Sequence, residues 1–179
     1  MSESKIASRY AKSLYDKAAD TGDLESVASD IKNLNLISHS NRDFNRFLNS
    51  PLISRETKKA TLAKIFASFN KETINLFNLM ADKSRENLIA FVGQEFTKIY
   101  NQNHGITIAV VTSATELDKD SLEKVENYVR SKTGAKKVEI TTETDPSLIG
   151  GMTIMFEGKI YDSSVSGQIN KIKTELNIA

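Results

Sequence analysis

His39 and His104 are the side chains of this sequence best suited to moving protons or holding a metal ion. Each stands at the end of a predicted helix, with no second histidine or carboxylate at ligand spacing. A surface or capping role fits such isolated residues better than catalysis. Gly150-Gly151 invites a phosphate-loop reading. The Lys and Ser/Thr of a Walker loop are missing, however, and no Gly-x-Gly-x-x-Gly opens a helix. A bend into a strand, with positive φ at one glycine, accounts for the pair. Ser163, Ser164 and Ser166 gather before the last predicted helix, where serines cap the first turn. No base is placed by sequence to activate them. The acidic residues are scattered over predicted exposed faces and form no paired constellation. Cysteine is absent, which excludes disulfides, thiolate metal sites and cysteine nucleophiles. The expectation is a protein that is not an enzyme, with no catalytic residue, metal or cofactor.

The 179 residues, 39% hydrophobic and 26% charged, suit one sizeable domain or two small ones with a buried core. Lys and Arg number 24 against 23 Asp and Glu, a net charge of +1. Gripping nucleic acid through its phosphates calls for a basic excess, so that class is set aside. Lys58-Lys59 is too short for a polybasic membrane patch. No stretch approaches the ~20 apolar residues of a spanning helix, so membrane association is expected only through a partner. The opening Met1-Ser2-Glu3-Ser4-Lys5 has neither a signal peptide's apolar run nor the Arg-rich, acid-poor character of a transit peptide.

Two kinds of periodicity divide the chain. Up to about Asn103 apolar residues recur at helical spacing. A first helix carries Ile6, Ala7, Tyr10, Ala11, Leu14, Tyr15 and Ala18; a second, capped by Asp23, carries Leu24, Val27, Ile31 and Leu34. Phe44, Phe47 and Leu48 mark a short third helix that must end near Asn49-Ser50-Pro51. Leu62, Ile65, Phe66 and Phe69 mark a fourth, Ile74 to Ala81 a fifth, and Leu88, Val92, Phe96 and Ile99 a sixth. After His104-Gly105 the period becomes two: Ile106, Ile108 and Val110, then Val138, Ile140 and Thr142, then Met152, Ile154 and Phe156. Asp118 caps a helix bearing Leu122, Val125 and Val129, and Glu157-Gly158 turns into Lys159-Ile160-Tyr161. A last helix aligns Val165, Ile169, Ile172 and Leu176 in a narrow seam, read as a core stripe packed on the sheet. The fold class predicted is α+β: a six-helix bundle over residues 1–104, then a small α/β domain with a short mixed sheet over 105–179.

The fifth helix holds more apolar surface than one core face needs. At ~100° per residue, Ile74, Phe77 and Ala81 fall on one side and Leu76, Leu79 and Met80 nearly opposite, with a polar strip at Asn75, Asn78 and Asp82. The first helix is similarly broad. The expectation is an apolar groove between these two helices, open to an amphipathic helix from another protein. Met80 suits an adaptable contact.

Several segments resemble the ATP synthase delta subunit family, whose mitochondrial relative is the oligomycin sensitivity conferral protein. They are Ile6-Ala7-Ser8-Arg9-Tyr10-Ala11-Lys12-Ser13-Leu14-Tyr15, Asn49-Ser50-Pro51-Leu52-Ile53 followed by Lys58, and Leu79-Met80-Ala81-Asp82-Lys83-Ser84-Arg85. Asp145-Pro146-Ser147-Leu148-Ile149-Gly150-Gly151 and Gly158-Lys159-Ile160-Tyr161-Asp162-Ser163-Ser164-Val165 match the most recognisable signature. Ser163 stands where many members have glycine, and Lys83-Ser84 replaces a common Asn-Gly. The resemblance implies a non-catalytic stator component, one copy per complex, with no cofactor. Its first and fifth helices would bind the N-terminal helix of an alpha subunit through Tyr10, Ala11, Leu14, Leu76, Leu79 and Met80. The C-terminal domain would dock the C-terminus of the b-type stalk subunit. Lack of a transit peptide ahead of Met1 points, within the family, to the cytoplasmic face of a bacterial plasma membrane, as a peripheral protein. The alternative is a free-standing helical adaptor for an unrelated amphipathic helix.

Overall fold

The structure, a computed structural model, describes residues 3–176. In chain order the elements are α1 (Glu3–Thr21), α2 (Leu24–Ser40), α3 (Arg42–Asn49), α4 (Arg55–Ile65), α5 (Lys71–Asp82), a 3-10 turn (Glu86–Leu88) and α6 (Ile89–His104). Then follow β1 (Ile106–Ser113), α7 (Lys119–Thr133), β2 (Lys137–Thr144), a second 3-10 turn (Pro146–Leu148), β3 (Met152–Phe156), β4 (Lys159–Asp162) and α8 (Val165–Glu175). The class is α+β, helices with a four-stranded mixed sheet. The chain divides into two compact units that part between Tyr100 and Asn101.

In the first unit, α1 buries Ala7, Ala11, Leu14 and Ala18, three alanines and one leucine on one face. Asn41 caps α3 by accepting from Phe44 N–H (3.0 Å), and Ser54 caps α4 by accepting from Thr57 N–H (3.2 Å). Two sequence expectations shift here. Asp23 stands at the cap position of α2, but its side chain makes no capping bond. The fourth helix begins at Arg55 and closes at Ile65, so Phe66 and Phe69 lie beyond it. Those two rings are placed by each other (centroids 4.6 Å apart) and by Phe77 (5.4 Å from Phe66), not by helical period.

After α5, Ser84 adopts φ +55 while Ser84 N–H bonds Ala81 O (3.0 Å) and Arg85 N–H bonds Met80 O (2.8 Å). This left-handed helix end is a glycine position. Ser84→Gly is therefore expected to raise stability by about 0.5–1 kcal/mol, the relief of left-handed strain less glycine's extra chain entropy. Urea denaturation checks it, and a lower midpoint would show that the serine is not strained.

In the second unit, β1 pairs parallel with β2 and antiparallel with β3, and β3 pairs antiparallel with β4, giving the order β2-β1-β3-β4. α7 covers one face, where Val125 and Val129 join Ala109, Val111, Val138, Ile154 and Phe156 in a core. Asp118 caps this helix, accepting from Ser121 N–H (2.8 Å). The buried line of β1 is Ala109, Val111 and Ser113; the Ile106, Ile108 and Val110 line that reveals the strand lies on the other face, with Met155 and Ile160 in register across it. Gly151 supplies the bend, with φ +72 and no room for a Cβ against the Ser163 carbonyl.

α8 departs most from expectation. No residue of it is buried, and the seam read as a core stripe is exposed along its length. Burial stops at its cap: Ser164 is buried, and exposure along the apolar line rises from Val165 to Leu176.

Candidate docking site

The surface in question is carried by α1 and α5, which pack against each other. α5 is set in place by an acid from a neighbouring helix. The Asp30 carboxylate of α2 is buried and accepts from Asn70 N–H (2.6 Å) and from the Thr73 hydroxyl (3.0 Å). Asn70 in turn caps α5, its side chain accepting from Glu72 N–H (2.8 Å). Thr73 is thereby buried without an unmet polar group, and it stands midway between the two apolar sides of the helical wheel. Leu76 and Met80 on one flank, and Phe77 and Ala81 on the other, are all buried with it. The two apparent faces of α5 are one inward arc of about 140°.

This corrects the expectation of a wide surplus surface. Of the six residues named for it, Ala11, Leu14, Leu76 and Met80 belong to the unit's own core. Leu79 is 47% exposed, and Tyr10 is half-buried against the core. On the Phe77 flank of α5, Phe77 meets Phe66, and in the polar strip Asp82 pairs with Lys59 of α4 (2.8 Å). Leu79 stands outside the inward arc, between Leu76 and the polar strip of the helical wheel. The Arg85 guanidinium donates to Tyr10 Oη (3.1 Å) and stands 5.9 Å from the ring centroid. That contact ties the end of α5 to α1 and holds Tyr10 in place.

A second buried polar feature braces the unit. Lys58 Nζ of α4 donates to Leu48 O at the end of α3 (2.9 Å) and to Glu86 Oε1 in the 3-10 turn (2.6 Å), with both charged residues buried. Sequence periodicity missed Asp30, Lys58, Glu86 and Arg85. A signal existed for Asp30, which completes the i, i+3, i+4, i+7 line of Val27, Ile31 and Leu34. Lys58 likewise stands one turn before Leu62, on its face.

His39 lies in the last turn of α2, and His104 ends α6. Among the described residues no three His, Cys, Asp or Glu side chains gather as a metal site. No helix among them is long and apolar enough to cross a membrane.

The family model for the ATP synthase delta (OSCP) subunit matches residues 6–176. The chain belongs to the ATP synthase delta (OSCP) subunit family. Within that family it is 32% identical to the ATP synthase subunit delta of Lysinibacillus sphaericus, over 98% of this chain and 99% of the relative. It is 38% identical to the chloroplastic ATP synthase delta chain of Spinacia oleracea, over 96% of this chain and 68% of that one. A chain in the cryo-EM structure of the Toxoplasma gondii mitochondrial ATP synthase hexamer superposes with a TM-score of 0.78 at 18% identity, covering 96% of this chain and 97% of that one. At that identity the likeness shows a shared fold. In this delta-family chain, then, Arg85 meets Tyr10 of α1, and Leu79 of α5 stands half exposed.

Proposed function

We propose that the chain is a non-catalytic stator component of an F-type ATP synthase. It joins the alpha subunits of the catalytic head to the b-type peripheral stalk and resists rotor torque during proton-driven ATP synthesis. Residues 1–104 are read as a six-helix bundle that docks the head, and residues 105–179 as the α/β domain that docks the stalk. Family membership over nearly the whole chain supports the role, and one copy per complex suffices for such a link. The protein is read as peripheral, on the cytoplasmic face of a bacterial plasma membrane. The 38% identity to the spinach chloroplast chain makes the corresponding plastid face the second reading.

The docking part rests on Leu79, a large apolar side chain of α5 left half in water, and on the packing of α5 against α1. The N-terminal helix of an alpha subunit is proposed to lie along α1 and α5, meeting Leu79 and Tyr10 directly. Ala11, Leu14, Leu76 and Met80 form the packed layer beneath, which fixes the spacing of the two helices. Burying the rest of one leucine contributes about 1 kcal/mol, so it shares the docking with other contacts once association costs are met.

Leu79→Asp also forces a carboxylate out of water on docking, which costs more than the lost apolar contact. It is expected to weaken binding of a synthetic alpha-subunit N-terminal peptide by more than about tenfold, with the far-UV circular dichroism of the chain unchanged. Undiminished affinity in titration calorimetry would remove the α1–α5 face from the account.

A further inference from the structure

Arg85 stands in the turn between α5 and α6, and its side chain is exposed. The backbone on both sides of it is pinned. Ser84 holds φ +55, Arg85 N–H donates to Met80 O (2.8 Å), and Arg85 O accepts from Leu88 N–H (3.0 Å). The next residue, Glu86, is buried on Lys58. The guanidinium is held as well. It donates one N–H to Tyr10 Oη (3.1 Å) and lies 5.9 Å from the centre of that ring. A long side chain has thereby given up much of its freedom at the surface, an entropic cost that an exposed cation ordinarily avoids.

No acid answers that charge. Among the described residues the ion pairs belong to Arg46, Lys58, Lys59, Lys98, Arg130 and Lys137. The carboxylates nearest in sequence are committed elsewhere, Asp82 to Lys59 (2.8 Å) and Glu86 to Lys58 (2.6 Å). Lys83, in the same turn, is exposed and of the same sign. Tyr10 Oη is a neutral acceptor for one N–H of a planar fork whose geometry matches a carboxylate.

Water can serve the rest of an exposed fork; a docked helix cannot. A helix that lies along α1 and α5 and touches Tyr10 takes water from the group bonded to Tyr10. Covering a guanidinium with its donors unmet works against binding unless the partner brings acceptors. The fork selects the acceptor that takes parallel N–H donors, a carboxylate. We propose that Arg85, presented by Tyr10, is a specificity residue of the docking face and takes an Asp or Glu side chain of the alpha-subunit helix; this rests on the reading that α1 and α5 dock that helix. The acid belongs on the part of the helix that overlies the turn after α5.

The test titrates the full chain with the synthetic alpha-subunit N-terminal peptide, and with peptides in which each acidic residue in turn becomes its amide. Arg85→Gln is expected to weaken binding of the unaltered peptide by at least about tenfold at low salt. One amide peptide shows a matching loss on the wild-type chain and no further loss on Arg85→Gln, the non-additivity of a direct pair. The amide peptides meet an unaltered protein, so their loss owes nothing to folding. Arg85→Lys keeps the charge without the fork and regains only part of the affinity. Added salt weakens the wild-type complex more than the Arg85→Gln complex. Losses that add in full for every peptide would reduce Arg85 to a brace between the turn and Tyr10, and overturn the proposal. Tighter binding by Arg85→Gln would overturn it too, making the guanidinium a cover that the helix must displace. Should Leu79→Asp weaken the complex while Arg85→Gln leaves it intact, the Arg85 pairing alone falls. A wild-type chain that binds no peptide would take the docking reading down with it.

Discussion

Glu86→Ala is expected to lower unfolding free energy by about 3–5 kcal/mol, because it leaves the Lys58 ammonium buried with one carbonyl for company. Lys58→Met should do comparable harm, since the Glu86 carboxylate then stays inside without its cation. The double variant Lys58→Met, Glu86→Leu separates two accounts of the pair. An apolar replacement of both charges is often neutral or better in a buried site, so much of the loss should be recovered. Recovery stops short of complete, because Leu48 O loses its donor. Urea denaturation of the four proteins reads this directly. A loss under about 1 kcal/mol in the single variants would mean that the pair behaves as an exposed one and is not the brace of α3, α4 and the turn before α6.

Asp30→Ala is the second large effect. Two donors, Asn70 N–H and the Thr73 hydroxyl, lose a shared charged acceptor inside the unit. Bonds to a charged group contribute about 1.5–3 kcal/mol each, and abandoned buried donors add their desolvation. A loss of about 3–4 kcal/mol is expected. Asp30→Asn keeps one carbonyl acceptor and should cost less. Hydrogen exchange locates the damage, with faster exchange in the first turn of α5 than in α6. Uniform exchange over both helices would show that Asp30 stabilises the unit generally and does not orient α5.

Much of this was legible in the residues. Apolar spacing found the helices and strands because packing against a single core imposes those periods. Proline at 51 and the Glu157-Gly158 turn fixed ends that backbone chemistry dictates. What period alone could not rank was which of two candidate faces would be buried. On β1 the Ile106, Ile108 and Val110 line looks like the core, yet the slimmer Ala109 and Val111 lie under α7. Threonine at 73 is polar by type, so helical period presents the continuous inward arc of α5 as two faces. That mistake came from not seeing its partner, Asp30, 43 residues earlier in the chain. Lys58 is hidden from period for the same reason: a buried charge is intelligible only beside its counter-ion. α8 misled in the opposite sense. Its apolar line stands exposed, because a helical period records which residues align and not whether the line meets the sheet.

The sheet order carries a consequence for the time before assembly. β2 and β4 are the outermost strands, each with one side free of backbone pairing. A newly made chain with an uncovered apolar sheet face is at risk of joining others strand to strand. The border at β2 is guarded: Lys137, Glu139 and Glu143 project from it, and Lys137 Nζ lies 2.8 Å from Glu139 Oε1. The opposite border is only four residues long and carries Lys159 and Asp162. Charge and brevity there discourage aggregation, leaving side-chain surfaces rather than open ladders to choose the partner.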